Sequence, residues 1–474
     1  MAVAGGIVLL AASLAALAEM HVRGGRLESG MIDLHVYRAG GLLALHSGNL
    51  YGTRLPHRLF FTYPPMAALV FSAISSIPIR QLSWMITGAS IGSVTGTLWL
   101  TTRMLGYRRP ATRLAMTLAA AATALWLQPV WQTISLGQVN LVLMLIIMAD
   151  LCLPDTAWFK GVGVGLAAGF KLTPLIFIPY LLITRRFRAA GIALGTFMLT
   201  IAMSAIALPG PSRQYWPGLL FLSSSRTGNT AYVGNQSLFG TMARLIGSPA
   251  AAQPYWVVVA AVAGVAGLLI AARWSRRGQE LAGILTCALT GLLICPVSWE
   301  HHWVWVAPGL LLAADALARF WQAGPITVAS ARWAAAGRHA AVSWRRWAWP
   351  RRAWVAAVAA LAVPFFAYPP GLVPPSVVQG HGARGVELLA GNIYVIAGLV
   401  TLGLAGLALR ISGRSPGSHL AAQDRLGPDR LGPGRLGPGP TGDAAQRVAG
   451  RPHAAAPVSV MTGGGQGGRQ SPTE

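Results

Sequence analysis

Most of the first 410 residues of this chain consist of apolar runs separated by short polar breaks. An α-helix needs about 20 apolar residues to cross the hydrocarbon core of a bilayer, and many of the runs approach that length. The series therefore predicts an all-α polytopic membrane protein with about ten to twelve transmembrane helices. The runs cover residues 2–18, 66–79, 82–102, 111–127, 141–153, 161–183, 190–208, 255–272, 281–294, 353–367 and 391–409, and one more follows Trp305 and ends at about residue 318.

The composition supports a membrane protein and argues against nucleic acid as a partner. Hydrophobic residues make up 54% of the 474 residues, and charged residues make up 11%. Lys and Arg together number 37 against 13 acids, which gives a net charge of +24. In a soluble protein this excess would indicate nucleic-acid binding. Here the basic residues lie between apolar runs and in the C-terminal tail. Cytoplasmic loops of membrane proteins carry an excess of Lys and Arg, and basic segments bind anionic lipid, so the membrane explains this charge.

The composition changes at residue 411, so we predict two regions. The first is an integral membrane domain, residues 1–410, and the second is a disordered cytoplasmic tail, residues 411–474. In the tail, repeats that begin at Arg425, Arg430 and Arg435 read Arg-Leu-Gly-Pro followed by Asp or Gly. Such a segment lacks the apolar residues needed to build a core.

Acids and cysteines are too few and too scattered to predict a metal centre. The chain contains no Asp-x-Asp pair, whereas a Mg²⁺ or Mn²⁺ site usually needs two or more oxygen ligands. The segment Glu300-His-His302 lacks the His-x-x-x-His spacing of a helical metal site. Cys152, Cys287 and Cys295 adjoin or lie within apolar runs, which is typical of small buried residues. We therefore expect neither a metal nor a disulfide framework.

Asp33 stands out because acids are scarce. It follows the first apolar run, and we place it just outside the lipid on a polar first loop, residues 20–62. Within that loop, residues 37–46 have the pattern of a short interfacial helix. Solvent exposure alone explains an acid in a loop. The alternative is a functional carboxylate, because His and Arg residues cluster in the other polar segments.

Lys171 is one of only two lysines, with Lys160. It lies inside the apolar run 161–183, in Phe170-Lys-Leu-Thr-Pro174, where proline breaks or kinks a helix. An ammonium inside a membrane segment is functional by default. Two interpretations are open: a side chain that snorkels at a helix break, or a cation that binds a phosphate.

Sidedness is left in conflict by the sequence. Arg185, Arg186 and Arg188 indicate a cytoplasmic end, and counting back from the tail places residues 209–252 and 295–302 outside. Counting forward with Asp33 outside also places residues 103–113 outside, against the positive-inside trend. The count changes parity if the run 161–183 is two half-helices rather than one span.

Six short motifs, taken in order, resemble family 87 of the actinobacterial glycosyltransferases. Each is weak alone, but the ordered set is specific, and it covers roughly residues 31–310. This chain has Glu300 before the His pair, where related proteins often carry a small hydroxyl residue. The motifs are Asp33-Leu-His-Val-Tyr37, Phe61-Thr-Tyr-Pro-Pro65, Gly137-Gln-Val-Asn140, Lys171-Leu-Thr-Pro174, Asn235-Gln-Ser237 and Pro296-Val-Ser-Trp-Glu-His-His-Trp-Val-Trp305.

The resemblance implies a GT-C-type fold and an enzyme of the plasma membrane with an extracytoplasmic active site. Such an enzyme moves a mannosyl unit from a polyprenyl-phosphate donor to a lipid-linked or cell-wall glycan, inverting to an α-1,2 linkage. Asp33 would be the general base. Fixed cations and donors would replace a metal at the leaving phosphate.

The resemblance also assigns roles to further residues. His301 and His302 would be catalytic, and Lys171, His302 and Arg226 would bind the donor phosphate. For the His pair, the alternative is an interfacial aromatic belt with the neighbouring Trp residues. Six polar residues are candidate substrate contacts, with a structural hydrogen-bonding role as the alternative. They are Tyr37, Tyr63, Gln138, Asn140, Asn235 and Gln236.

Two other classes of protein stay open at this point. A secondary transporter or flippase of lipid-linked sugars would also have broken helices and few charges. It should show matching halves with paired interruptions, and no counterpart to residues 167–174 occurs elsewhere in the chain. A scaffold protein would have no need for Lys171 in an apolar run.

Overall fold

The computed structural model describes residues 2–23, 30–46, 48–218, 220, 223–322, 351–380, 382 and 384–412, all within one compact unit. Nearly the whole of the predicted tail, and most of the Arg/Trp-rich segment 319–352, lie outside the described residues. The α-helices are α1 Ala2–Arg23, α2 Ile32–Leu45, α3 Pro65–Ile74, α4 Ile79–Met104, α5 Pro110–Ala124, α6 Gln128–Leu136, α7 Asn140–Leu151, α8 Val162–Phe170, α9 Phe177–Ile183, α10 Phe187–Ala207, α11 Pro209–Tyr215, α12 Leu238–Ile246, α13 Pro249–Arg276, α14 Glu280–Ile294, α15 Val306–Gln322, α16 Arg351–Ala367, α17 Pro375–Val378, α18 Gly385–Gly391 and α19 Ile393–Ser412.

The predicted all-α class is confirmed, since the described residues contain only two isolated β-bridges besides helices and loops. Among the helices of the described residues, three can each cross a membrane by length and apolarity: α10, α13 and α19. Two bent pairs, α3 with α4 and α5 with α6, raise this to five, and shorter apolar helices pack among them. The total number of membrane crossings stays a prediction.

One end of the helix bundle is rich in arginine, and we call it the Arg-rich end. Side chains tie the ends of successive helices together there. Arg186 forms a bidentate ion pair with Glu280, both N···O distances being 2.7 Å. Arg319 donates to the Leu105 carbonyl at 2.8 Å, and Cys152 Sγ lies 3.2 Å from Met104 Sδ. The opposite end, which we call the pocket end, carries α2 and a large cavity.

The bend between α3 and α4 resolves the conflict over residues 103–113. Helix α3 has only ten residues and meets α4 at 118°. Ten residues span about 15 Å, too short to cross a bilayer. Therefore only α4 passes between the ends in this part of the chain. Residues 103–113 reach the Arg-rich end, where Tyr107 donates to Asp315 at 2.6 Å.

The run 161–183 forms two half-helices, an alternative that the sequence left open. Helix α8 starts at the Arg-rich end, where the Gly161 N–H donates to Asp150 at 2.9 Å. The chain becomes extended at Lys171, with φ −148° and ψ 130°. A 3-10 turn at Thr173–Ile176 and helix α9 then lead back to the Arg-rich end, where the Tyr180 hydroxyl donates to Glu280 at 2.8 Å. Lys171 is therefore the apex of a re-entrant hairpin.

The placement of Asp33 on a loop was wrong. Asp33 lies in the first turn of α2, where a carboxylate interacts favourably with the positive end of the helix dipole. The interfacial helix predicted for residues 37–46 begins earlier, at Ile32. Its apolar side chains Leu34, Val36 and Tyr37 are buried, and burial of that face stabilises the first turn as well.

Candidate active site

A cavity of about 410 Å³ opens at the pocket end between α2, the hairpin apex and the segment 295–302. It brings together eight of the eleven residues that the sequence singled out for a site, and it adds Glu300. The eight are Asp33, Tyr37, Tyr63, Gln138, Lys171, Arg226, His301 and His302. Residues almost 270 positions apart in the chain therefore face one space.

Asp33 is half-buried on one wall, and the Gln138 side chain hydrogen-bonds it. The Gln138 amide is itself oriented, because its Oε1 accepts from the Tyr37 hydroxyl at 2.6 Å and the Tyr63 hydroxyl at 3.0 Å. With the oxygen occupied, the amide N–H₂ is the group left to donate to the carboxylate. Burial raises the pKa of Asp33 to about 6, while Gln138 and the charges of Lys171 and His57 act to lower it.

Gly137 places Gln138 beside Asp33. It ends α6 in the left-handed conformation, with φ +68°, as glycine commonly does after a helix. A Cβ atom at this position would lie 2.6 Å from Leu34 Cβ. The close approach of α6 to α2, and with it the Gln138–Asp33 contact, therefore requires glycine here.

Lys171 lies at the hairpin apex and is held by two side chains. Its Nζ donates to Asn140 Oδ1 at 2.8 Å and lies 3.0 Å from His302 Nε2. The Tyr63 ring centroid is 5.7 Å from the same nitrogen, which is within the range of a cation–π contact. A primary ammonium has three N–H donors, so one donor is left for a ligand.

Asn140 connects this cation to the His pair. Its amide donates to the His301 carbonyl at 3.0 Å, and the Thr133 hydroxyl donates to the same carbonyl at 2.8 Å. Asn140 itself is buried behind the pocket wall and does not line it. Its position favours the structural alternative over a direct substrate contact.

The two histidines supply neutral donors and acceptors. Burial and the nearby Lys171 charge hold the pKa of both imidazoles well below the usual range. The rings of His301 and His302 meet edge to face at 4.8 Å. In the described part of the chain, both ring nitrogens of His301 and Nδ1 of His302 are buried without a hydrogen-bond partner. Buried polar atoms of this kind usually have a partner, so these are places where a ligand can bind.

Arg226 also lines the cavity. Its guanidinium stacks 4.3 Å over the Phe60 ring and contacts the Tyr51 carbonyl. It can therefore add positive charge to the pocket without touching the Lys171 cluster.

Asn235 and Gln236 lie outside the cavity lining and are fully buried. The Asn235 amide donates to the Pro296 carbonyl at 3.1 Å and accepts from the Ser298 N–H at 3.0 Å. Gln236 donates to the Gly391 carbonyl at 2.7 Å. Both amides fasten backbone segments that support the pocket, which favours the structural alternative for them too.

Glu300 was not assigned a role in the site, yet it lines the cavity and is only 6% exposed. Burial raises the pKa of its carboxyl to about 7, and the negative charge of Asp33 adds to the rise. Its sequence neighbours, the two histidines, were the only available signal. No three His, Cys, Asp or Glu side chains cluster as metal ligands within the described ranges. The absence of a metal from the reaction stays a prediction.

Comparison with known proteins gives this arrangement its class. The family model described as glycosyltransferase family 87 matches residues 61–296. The chain is 34% identical over 297 residues to the polyprenol-phosphate-mannose-dependent alpha-(1-2)-phosphatidylinositol pentamannoside mannosyltransferase of Mycobacterium tuberculosis (strain CDC 1551 / Oshkosh), covering 61% of this chain and 68% of that protein. A protein of the same printed name from Mycolicibacterium smegmatis is 33% identical over 288 residues, covering 59% of this chain and 68% of that protein.

Another relative is a phosphatidylinositol mannoside mannosyltransferase of Mycobacterium tuberculosis (strain ATCC 25618 / H37Rv), which is also described as polyprenol-phosphate-mannose-dependent. It is 33% identical over 299 residues, which cover 59% of this chain and 69% of that protein. No solved structure matches the chain. Fold, pocket and relatives together define a polytopic membrane glycosyltransferase of the GT-C type. Within that class, the chain belongs to glycosyltransferase family 87.

Proposed function

We propose that this enzyme transfers a mannosyl unit from polyprenyl-phosphate mannose to a phosphatidylinositol mannoside or a related cell-envelope glycan, forming an α-1,2 linkage. The observation that carries the proposal is that Asp33 and Lys171 line one pocket. The Lys171 charge acts on the Asp33 carboxyl, and both groups line the cavity. The printed names of the relatives support the donor, the acceptor and the linkage.

The geometry suits an inverting substitution at the anomeric carbon. The Asp33 carboxylate takes the proton of the acceptor hydroxyl, and a lone pair of the deprotonated acceptor oxygen attacks the anomeric carbon. The bond from that carbon to the phosphate oxygen breaks on the opposite side, and its electrons leave with the polyprenyl phosphate. Lys171 donates to the departing phosphate, and His302 Nδ1 supplies a neutral donor. Arg226, which also lines the cavity, adds positive charge.

The distribution of arginine supports an extracytoplasmic active site in the plasma membrane. Cytoplasmic loops carry the excess of Lys and Arg, and the Arg-rich end lies opposite the pocket end. A pocket on the outer face would meet a lipid-linked sugar donor rather than a soluble sugar nucleotide. The positive side chains already present at the pocket support catalysis without a metal.

A transfer assay with purified enzyme tests the proposal. We expect mannosylated phosphatidylinositol mannoside from the wild type with polyprenyl-phosphate mannose, at a rate that EDTA leaves unchanged. Lys171→Ala should abolish transfer, and Lys171→Arg should restore only part, since a planar guanidinium does not replace a compact ammonium. Arg108→Ala at the Arg-rich end is the matched control and should transfer normally. Absence of product from this donor would overturn the proposal, and unaltered turnover in folded Lys171→Ala would make Lys171 a snorkelling residue.

A further inference from the structure

Glu300 carries a buried carboxyl oxygen that nothing in the described structure satisfies. Its Oε2 atom is buried and has no hydrogen-bond partner among those residues. Its Oε1 atom makes only a long 3.5 Å contact to the Tyr368 hydroxyl. A buried carboxyl oxygen without a partner is unfavourable unless a bound group supplies one. Because Glu300 also lines the cavity, a molecule bound there can supply the missing partner.

The backbone around Glu300 holds that carboxyl at a fixed place. The Glu300 N–H donates to the Gly234 carbonyl at 2.9 Å, and the neighbouring Trp299 pairs with Asn235 in an isolated antiparallel bridge. A Cβ atom on Gly234 would collide with Glu300 Oε2. Glycine at 234 therefore leaves the space that the carboxyl occupies, and the bridge prevents the segment from moving away.

The surroundings of Glu300 suit a sugar ring and not a phosphate. Tyr232 and Trp299 line the same cavity with their ring centroids 6.0 Å apart. Aromatic faces are apolar and suit the C–H faces of a sugar, and a carboxylate accepts hydrogen bonds from its hydroxyls. A second carboxylate repels a phosphate, so the donor phosphate belongs at Lys171. Asp33, which would deprotonate the acceptor, is the charge that acts on Glu300.

We infer that Glu300, Tyr232 and Trp299 form a subsite for the acceptor sugar, in which the Glu300 carboxylate accepts a hydrogen bond from a ring hydroxyl. The inference rests on the proposed function and adds a specificity determinant to it. Glu300 takes no part in proton transfer. It holds the acceptor ring so that a neighbouring hydroxyl faces Asp33.

Steady-state kinetics with Glu300→Gln test this role. We expect the acceptor KM to rise about tenfold, the ratio for converting a charge-assisted hydrogen bond into a neutral one. The donor KM and kcat should change less than about threefold, because the donor phosphate and the base are untouched. Glu387→Gln, the same substitution on the same face but outside the cavity lining, should leave all three constants unchanged.

Monodeoxy acceptor analogues provide a readout that a structural role would not produce. One deoxy analogue should bind the wild type at least about tenfold more weakly than the parent acceptor, and this loss should be smaller in Glu300→Gln, because the bond that the analogue lacks is already weakened in the variant. Fully additive losses for every analogue would overturn the inference. A drop in kcat of about a hundredfold with unchanged KM would also overturn it and make Glu300 a base. Both outcomes are measured on an active wild type. If the wild type itself transferred no mannose, the proposed function would fail and not this inference alone.

Discussion

At the residue scale, two carboxyl groups share one pocket, and each is harder to ionise in the folded protein than in water. Burial raises the pKa of Asp33 to about 6 and that of Glu300 to about 7. In the unfolded chain the pKa of Asp and Glu is about 4. The folded state therefore binds more protons than the unfolded state between these values, so the stability due to both groups falls as the pH rises through the folded pKa.

Removing either charge should stabilise the protein at high pH. We expect Asp33→Asn and Glu300→Gln to unfold at a higher temperature than wild type at about pH 8, where both wild-type carboxyls must ionise in the pocket. The difference should disappear near about pH 4, where both carboxyls are protonated in the folded state. Thermal unfolding in detergent measures it, with Glu387→Gln as control. A difference that is equal at both pH values would contradict the assigned cause.

Scarcity made some of these residues predictable. Asp33 and Lys171 stand out because each charge lies in or beside apolar sequence, where an unexplained charge is unfavourable. The location of Glu300 in the pocket depends on how the backbone segments around Gly234 and Trp299 pair. The order of residues in the sequence does not reveal that pairing. Asn235 was a candidate for substrate binding because the sequence cannot show whether an Asn side chain hydrogen-bonds to backbone or to a sugar.

At the element scale, a break and a bend shape the pocket. The break at residues 170–174 was predictable, because proline cannot continue a helix and its position was visible. The bend of 118° between α3 and α4 was not, since the run 66–79 has the apolarity of a single span. Helix α3 packs against α2, and hydropathy carries no record of that contact.

Gly137 provides a test of how α6 delivers Gln138 to Asp33. Gly137→Ala should reduce transfer at least about tenfold, because the added Cβ overlaps Leu34 and displaces α6 from α2. Gly106→Ala is the matched control: Gly106 also has positive φ, +87°, but has nothing within 4 Å of an added Cβ. Both variants carry the same backbone strain of about 1–2 kcal/mol. Equal loss of activity in the two would show that strain alone is responsible.

At the scale of the whole molecule, the Arg-rich end and the pocket end lie at opposite ends of the helix bundle. Arginine side chains fasten helix ends together at one end, and the pocket proposed for sugar transfer opens at the other. The sequence indicated the excess of basic residues but left the side of residues 103–113 undecided, because α3 was counted as a crossing. Counting helices by apolarity fails where a short helix turns back at the surface.

Cysteine labelling in intact cells tests this orientation. We expect Arg384→Cys to react with an impermeant maleimide and Arg108→Cys to be protected until the membrane is opened, since the two exposed arginines lie at opposite ends. Unsubstituted protein, with its three free cysteines buried or half-buried, gives the background. Labelling of Arg108→Cys with protection of Arg384→Cys would place the pocket in the cytoplasm.

The proposed base, Asp33, is the central claim of this account, and Asp33→Asn tests it most directly. Asparagine keeps the shape of the side chain and can still accept the hydrogen bond from Gln138, but it cannot take the acceptor proton. The decisive measurement is the rate of mannosyl transfer by purified Asp33→Asn at saturating donor and acceptor, with donor Kd measured in parallel. We predict an unchanged donor Kd and a rate lower by at least about a hundredfold, as for loss of a general base. A rate close to that of the wild type would contradict the mechanism.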